Sequence, residues 1–355
     1  MFMESSLTEP EPAAGPRIHV LSLGAGPQST ALLLLACEGR IPRFDAAIFA
    51  DPGWQHEALY QRVDQLKRLA AKVGIPLYRV TAGNVRADAL DPDRRFASMP
   101  LWYRSPTGHD TTARRQCVSR YKTGPVKAKI RELLGYPPPA RVPRGIHADL
   151  AVGLAADEIG RAREPDVQYL EFSYPLSVLG WTTADCVRYL ISRGMSDALP
   201  SACLGCPYHG NRWWRHMRDH EPKRWADAVA FDHAIRDGHP RANVHGQHLH
   251  GRYYLHMSRQ PLEQANLGPI RILNGLPGYV DEDGIPGGCS PWTRPADQAP
   301  PVLPRTASTI HVSTIQRHWA NAISLGRAIT RRLAAGLTRH RTSGPAVKPA
   351  GRHRR

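Results

Sequence analysis

The sequence predicts an α/β fold organised around a doubly wound parallel sheet. Three successive strand-to-helix units within roughly the first eighty residues carry that expectation. A glycine turn joins the first strand to the first helix, as such sheets require. The length of 355 residues and the 41% apolar content are enough for one sizeable α/β domain with appendages.

The first unit runs from Ile18 to Leu35. Ile18, Val20, Leu21 and Leu23 make an apolar strand, Gly24-Ala25-Gly26-Pro27-Gln28-Ser29 breaks it, and Ala31 to Ala36 continues as a helix with no breaker. Gly24 and Gly26 permit backbone geometry that a side chain would block, so several N–H groups can converge on one point. The helix adds its unpaired first-turn amides and the positive end of its dipole. With the hydroxyls of Ser29 and Thr30 at the same mouth, the corner suits a phosphate. It lacks the Lys of a GxxxxGK[ST] loop, and Ser29 stands where a dinucleotide fingerprint has its third Gly. A tight strand–helix turn with no ligand is the alternative.

The second strand, Asp45 to Ala50, ends at Asp51-Pro52-Gly53-Trp54. Parallel sheets carry their sites at the carboxyl ends of strands, so Asp51 is expected beside the glycine turn. Leu59, Val63, Leu66, Leu69, Ala70 and Val73 recur at helical spacing from about Glu57 to Lys72, and Gly74 stops that helix. Leu77 to Val80 is the third strand. Asp88 to Thr112 is polar and interrupted by Pro92, Pro100 and Pro106, which predicts a long functional loop or lid. Pro125 is placed to open a helix running to Leu134. A further strand, Asp149 to Leu154, ends in Ala155-Ala156-Asp157-Glu158-Ile159-Gly160-Arg161. A carboxylate pair there suits Mg²⁺, and Arg161 and Arg163 suit phosphates, although any strand can be followed by a charged helix start. Thr182 with Asp185 is an acidic variant of a capping box, opening a helix to Arg193.

The cysteines divide by setting. Cys37 and Cys186 lie among apolar residues and are expected in the core. Cys117 is flanked by Arg114, Arg115, Arg120 and Lys122, an electropositive setting that favours thiolate. Cys203-Leu204-Gly205-Cys206-Pro207 is a CxxC knuckle far from the start of its domain, which favours a metal over redox exchange. Asn211 to Arg218 is basic and aromatic, suited to RNA or nucleotide contact or to a buried Trp pair. A second helix is expected from Pro222 to Arg236. His245, His248 and His250 read as a solvated His-rich loop.

The glycine turn resembles the PP-loop of the N-type ATP pyrophosphatases, usually SGGxDS. Gly24, Ala25, Gly26 and Ser29 fall on its first, second, third and last positions, while Pro27 and Gln28 replace the variable residue and the Asp. Asp51-Pro52-Gly53 through Glu57 is similar to the D-T-G-x-x-x-x-E stretch of the phosphoadenylyl-sulfate (PAPS) reductase family. Cys117 with Lys122 and Pro125 resembles that family's C-C-x-x-x-K-x-x-P-L segment, and Gly153 to Arg161 resembles the G-x-x-x-D-E-x-x-R of its bacterial and phage members. The resemblance, scattered from Ile18 to Cys289, implies an adenine nucleotide alpha hydrolase-like (HUP) sheet with a C-terminal helical, Cys-containing extension. It divides the chain into a leader at 1–16, a nucleotide-binding domain at 17–195, a Cys/His-containing region at 196–292 and a basic tail at 293–355.

The resemblance implies ATP with Mg²⁺ at Ser22, Gly24, Ala25, Gly26, Gln28, Ser29, Thr30, Asp51 and Gly53. Asp51, Lys122, Asp157, Glu158 and Arg161 are the candidate catalytic residues. Cys117, Cys203, Cys206 and Cys289 would hold a [4Fe–4S] cluster; the alternative is a structural Zn²⁺ with His209 as a further ligand. The expected activity is adenylation of a nucleotide or nucleic-acid substrate for sulfur transfer or a related modification. A PAPS or adenylyl-sulfate reductase is a second reading, weakened because Cys289 lacks the flanking E-C-G-x-H pattern. A non-enzymatic zinc protein that binds nucleic acid is the third.

Charge and composition bound these readings. Of the net +16, about +11 lies in the segment 298–355, which holds ten Arg and one Lys and no acid. Such a tail could hold tRNA or DNA by counterion release, or be only a solvated extension. There is no run of 18 apolar residues, so no membrane span is expected. The acidic, Pro/Ala-rich start has no apolar signal region, which points to a cytoplasmic protein. Six Cys in that setting argue against structural disulfides.

Overall fold

The computed structural model describes residues 17–195, 202–244, 247–248, 250–268 and 291–293. The chain opens with β1 (Arg17–Ser22), α1 (Pro27–Cys37), β2 (Ala46–Asp51), α2 (Glu57–Ala71), β3 (Leu77–Thr81) and α3 (Val85–Leu90). A short hairpin follows, β4 (Trp102–Arg104) and β5 (Asp110–Thr112), then α4 (Gln116–Val118) and α5 (Gly124–Leu133). Next come β6 (His147–Val152), β7 (Leu170–Ser173), α6 (Pro175–Leu179), α7 (Thr183–Ile191), α8 (Asn211–His220) and α9 (Pro222–Ala234). The last strands are β8 (Asn243–Val244), β9 (Gln247–His248) and β10 (Arg252–Tyr254).

Five strands form one parallel sheet in the order β3-β2-β1-β6-β7. Side chains alternate across it with the period of a strand. Leu21, Ala47 and Phe49 meet α1, α2 and α7 on one face, and Val20, Ile48 and Leu150 meet Val126 and Ile130 of α5 on the other. Helices on both faces of a parallel sheet make the α/β doubly wound architecture, as the apolar runs predict. Helix α1 is apolar and buried from Ser29 to Ala36, which is why it shows no polar stripe. The capping box at Thr182 and Asp185 is formed in full, each side chain bonded to the other residue's backbone N–H.

The segment Asp88 to Thr112 is not the open loop expected. Its end is the β4–β5 hairpin, whose other edge pairs with β10, some 150 residues later, in the order β10-β4-β5. The strand partner is distant in sequence, so no local pattern announces it. A third apolar cluster lies here and crosses position 195: Trp54, Val85, Leu101 and Tyr121 pack with Leu204, Trp214, Phe231 and Leu255. Between α4 and α5 a π-helical turn spans Ser119–Thr123, and a Cβ on Gly124 would stand 2.9 Å from the Ser119 carbonyl. Such turns break the helical ladder and recur at functional sites. Among the described residues no helix is long and apolar enough to cross a membrane. The leader 1–16, residues 269–290 with Cys289, and the tail from 294 on lie outside the described residues.

Candidate functional site

Strand order reverses at β1, with β2 on one side and β6 on the other. In open parallel sheets the crevice at that reversal is where ligands bind. Two loops leave the sheet there, the glycine turn after β1 and the stretch after β6 that enters a 3₁₀ turn at Ala156–Arg161.

The glycine turn is built tightly. Ala25 takes the left-handed conformation at φ 57° and is fully buried. Gly26 is the N-cap of α1 and, having no side chain, leaves the first turn uncapped. Ser29 Oγ accepts from the Gly24 amide at 3.1 Å and donates to the Gly26 carbonyl at 3.4 Å, so this hydroxyl locks the turn. Thr30 is buried and its Oγ1 has no hydrogen-bond partner. Gly153, just after β6, approaches this turn closely: a Cβ there would lie 2.8 Å from the Ser29 nitrogen and 3.1 Å from its Cα. Only a glycine lets these two loops touch.

That approach sets the carboxylates beside the turn. Gln28 Nε2 donates to Glu158 Oε2 at 3.1 Å, so the residue standing where the PP-loop pattern has Asp bridges the two loops. An Asp at this position would set two carboxylates against each other. The other oxygen of Glu158 pairs with Arg161, whose second nitrogen donates to Thr293 Oγ1 at 2.9 Å. Asp157 is exposed and accepts from the Thr183 amide at 3.0 Å, at the start of α7. The segment Pro291–Thr293 sits on this edge. Trp292 is buried against Phe172 and donates through Nε1 to Ser22 Oγ at 2.7 Å, while Arg163 donates to the Pro291 carbonyl at 3.3 Å. The tryptophan thus holds Ser22, a residue expected to touch the nucleotide.

Asp51 lies at the end of β2, but its oxygens are spent on the protein. Oδ1 accepts from the Gly53 amide at 2.8 Å and from the Tyr60 hydroxyl at 3.0 Å. Oδ2 takes two bonds from Arg79, at 3.0 and 2.6 Å. Burial, followed by the charge of Asp51, pushes the Tyr60 hydroxyl up to about 12. Asp51 is therefore a brace for the loop after β2. Gly53 adopts φ 77° and packs on Asn84, whose side chain donates to its carbonyl at 2.8 Å. Lys122 is buried in the π-helical turn, which packs against β2.

The knuckle docks on this same loop. The Leu204 amide donates to the Trp54 carbonyl at 2.8 Å, and Gly205 lies so close over the Trp54 ring that a Cβ would overlap it. Cys206 N–H closes the turn on the Cys203 carbonyl at 3.1 Å. Cys203 and Cys206 are buried and Cys117 is half-buried in the same apolar cluster, and Arg115 stands 5.8 Å over the Tyr208 ring. His209 places Nε2 on the Cys203 carbonyl at 2.8 Å and stacks on Trp213. Among the described residues no three His, Cys, Asp or Glu side chains form a group that could hold a metal ion. These thiols share a neighbourhood, and Cys289, the fourth residue of the expected set, lies outside the described residues. Cys37 is half-buried, and Cys186 is fully buried, its thiol pushed up to about 12 by that burial, as core cysteines would be.

Sequence reading passed over the contacts made by Gly153, Arg79 and Trp292. Gly153 alone had a local signal, a glycine closing an apolar strand. No family model matches the chain, and no curated protein matches it.

Proposed function

We propose that the corner between β1 and α1 binds the phosphates of an adenine nucleotide, ATP with Mg²⁺, and that the protein adenylates a nucleotide or nucleic-acid acceptor for sulfur transfer or a related modification. The observation that carries this reading is the close approach at Gly153. It sets Asp157 and Glu158 beside a helix N-terminus that no side chain caps. Uncapped first-turn amides attract phosphate oxygens, and they are already oriented before the reaction. Exposed Asp157 is the carboxylate suited to a hydrated magnesium ion, which would bridge phosphate oxygens and offset their charge. Glu158 is committed to Gln28 and Arg161 and serves to hold the turn in place.

In the reaction an acceptor oxygen attacks the α-phosphorus, and pyrophosphate leaves with the electrons of the broken P–O bond. A sulfur nucleophile then attacks the activated carbon, and AMP leaves. The test is thermal melting with Mg·ATP, followed by pyrophosphate release in the presence of acceptor. ATP at a hundred times its Kd adds about 2.7 kcal/mol of stability, a readily measured rise in Tm. A flat melting curve at millimolar ATP would overturn the proposal. Sulfite release from a sulfonucleotide and a thiol donor would replace it with the reductase reading, which the docking of Pro291–Thr293 at this edge favours.

A further inference from the structure

Helix α7 starts against the two loops of the corner, and its first turn has one donor that its own cap does not use. The capping box accounts for two amides: Asp185 N–H goes to Thr182 Oγ1, and Thr182 N–H goes to Asp185 Oδ2. Thr183 holds the first helical position, where an amide has no partner inside the helix. Its N–H leaves the helix and donates to Asp157 Oδ1 at 3.0 Å, and its hydroxyl lies 3.4 Å from the same oxygen. From the other loop, Gln28 Nε2 donates to the Thr183 hydroxyl at 3.4 Å. The backbone is tied at the same place, since the Ala156 amide donates to the Trp181 carbonyl at 2.7 Å.

The two carboxylates after β6 are therefore held in different ways. Glu158 is met by the guanidinium of Arg161 and by Gln28, so its charge is offset and both oxygens are engaged. Asp157 is met on Oδ1 by neutral donors, which orient a carboxylate and leave it its charge. The described residues give Oδ2 no hydrogen-bond partner, and the residue is exposed. A carboxylate fixed through one oxygen and open at the other suits Mg²⁺, which takes one or two carboxylates and keeps several waters. Holding the side chain in advance also lowers the ordering cost of binding.

We infer that Thr183 is a positioning residue: its backbone N–H holds Asp157 so that Oδ2 serves the magnesium of Mg·ATP. Thr183 acts through Asp157 and needs no contact with the nucleotide. The inference rests on the adenylation reading for the nucleotide. It adds that metal dependence is set at the start of α7, where the sequence shows only a helix cap.

Proline at position 183 tests the bond directly. A first helical position accepts proline, and Thr182 already has the extended backbone (φ −83°, ψ 168°) that a residue before proline adopts. Thr183→Pro thus deletes the N–H and the hydroxyl and leaves the capping box. Titration calorimetry on the full chain, with ATP in Mg²⁺ and in EDTA, is expected to show about tenfold tighter binding with the metal. In Thr183→Pro that advantage should fall to about twofold or less, while metal-free ATP binding and Tm stay as they were. Asp157→Glu keeps the charge but moves it one methylene from the Thr183 amide. It should lose the advantage too, which covers a proline variant that does not fold. An advantage retained in either folded variant, whatever happens to the absolute affinities, would overturn the inference. So would ATP binding in the parent chain that is equal with and without Mg²⁺. A parent chain that binds no ATP in either condition would overturn the adenylation reading and the inference together.

Discussion

At Gly153 a missing methyl group decides how two loops meet. The atoms a Cβ would strike, the nitrogen and Cα of Ser29, are backbone at the start of a buried helix and have little room to move. Gly153→Ala is therefore expected to lower stability by about 1–3 kcal/mol. It should also weaken ATP by at least tenfold, because the carboxylates after β6 must shift from the turn. Urea midpoints and ATP-induced shifts in Tm measure the two effects, and an unchanged value of both would show that the contact imposes nothing. Gln28 illustrates a different residue-scale rule. Its amide satisfies Glu158 where a second carboxylate would repel it, so the departure from the PP-loop pattern is matched by a partner on the facing loop. Asp51 shows the reverse, a residue of the expected type at the expected place, with its charge absorbed by Arg79 and Tyr60.

Elements formed where the local signal was complete. Helix α7 begins with both halves of its capping box, Thr182 on the Asp185 amide and Asp185 on the Thr182 amide at 2.8 Å. Replacing Thr182 with Ala removes one bond and loosens the other, so a loss of about 1 kcal/mol is expected in chemical denaturation. A neutral result would mean that the packing of Leu190 and Cys186 alone sets the helix start. Strand β1 and helix α1 were legible for a similar reason, since an apolar strand, a glycine break and an apolar helix are contiguous. The β4–β5 hairpin was not legible. Its proline-rich surroundings look like loop, and the strand that covers its edge, β10, comes from the other end of the chain.

Across the whole molecule, the described chain is tied together by contacts between distant segments. The apolar cluster around Trp54 and Trp214 draws on both sides of position 195, so the knuckle region shares its apolar cluster with the loop after β2 and with α3. Trp292 makes the longest link: its indole fills a place between β7 and α5 and bonds to Ser22 across 270 residues. Trp292→Ala should cost about 3–5 kcal/mol, read as a lower unfolding midpoint with the slope retained. A loss under about 1 kcal/mol would show that the segment is an optional cover and not part of the core.

Order along the chain was enough to determine the parallel sheet, the glycine corner after its first strand and the helix caps, because each depends on residues a few positions apart. It also marked Cys37 and Cys186 as core, while the apolar surroundings of Cys117, Cys203 and Cys206 came only with the fold. Only the tertiary structure decided that Asp51 is a brace, that Gln28 bridges to Glu158, that Gly153 must be glycine, and that the knuckle seats on Trp54. The reason is physical: local backbone preference and apolar periodicity act over a turn or two. Charge pairing and close approach depend on which segments the folded sheet brings together.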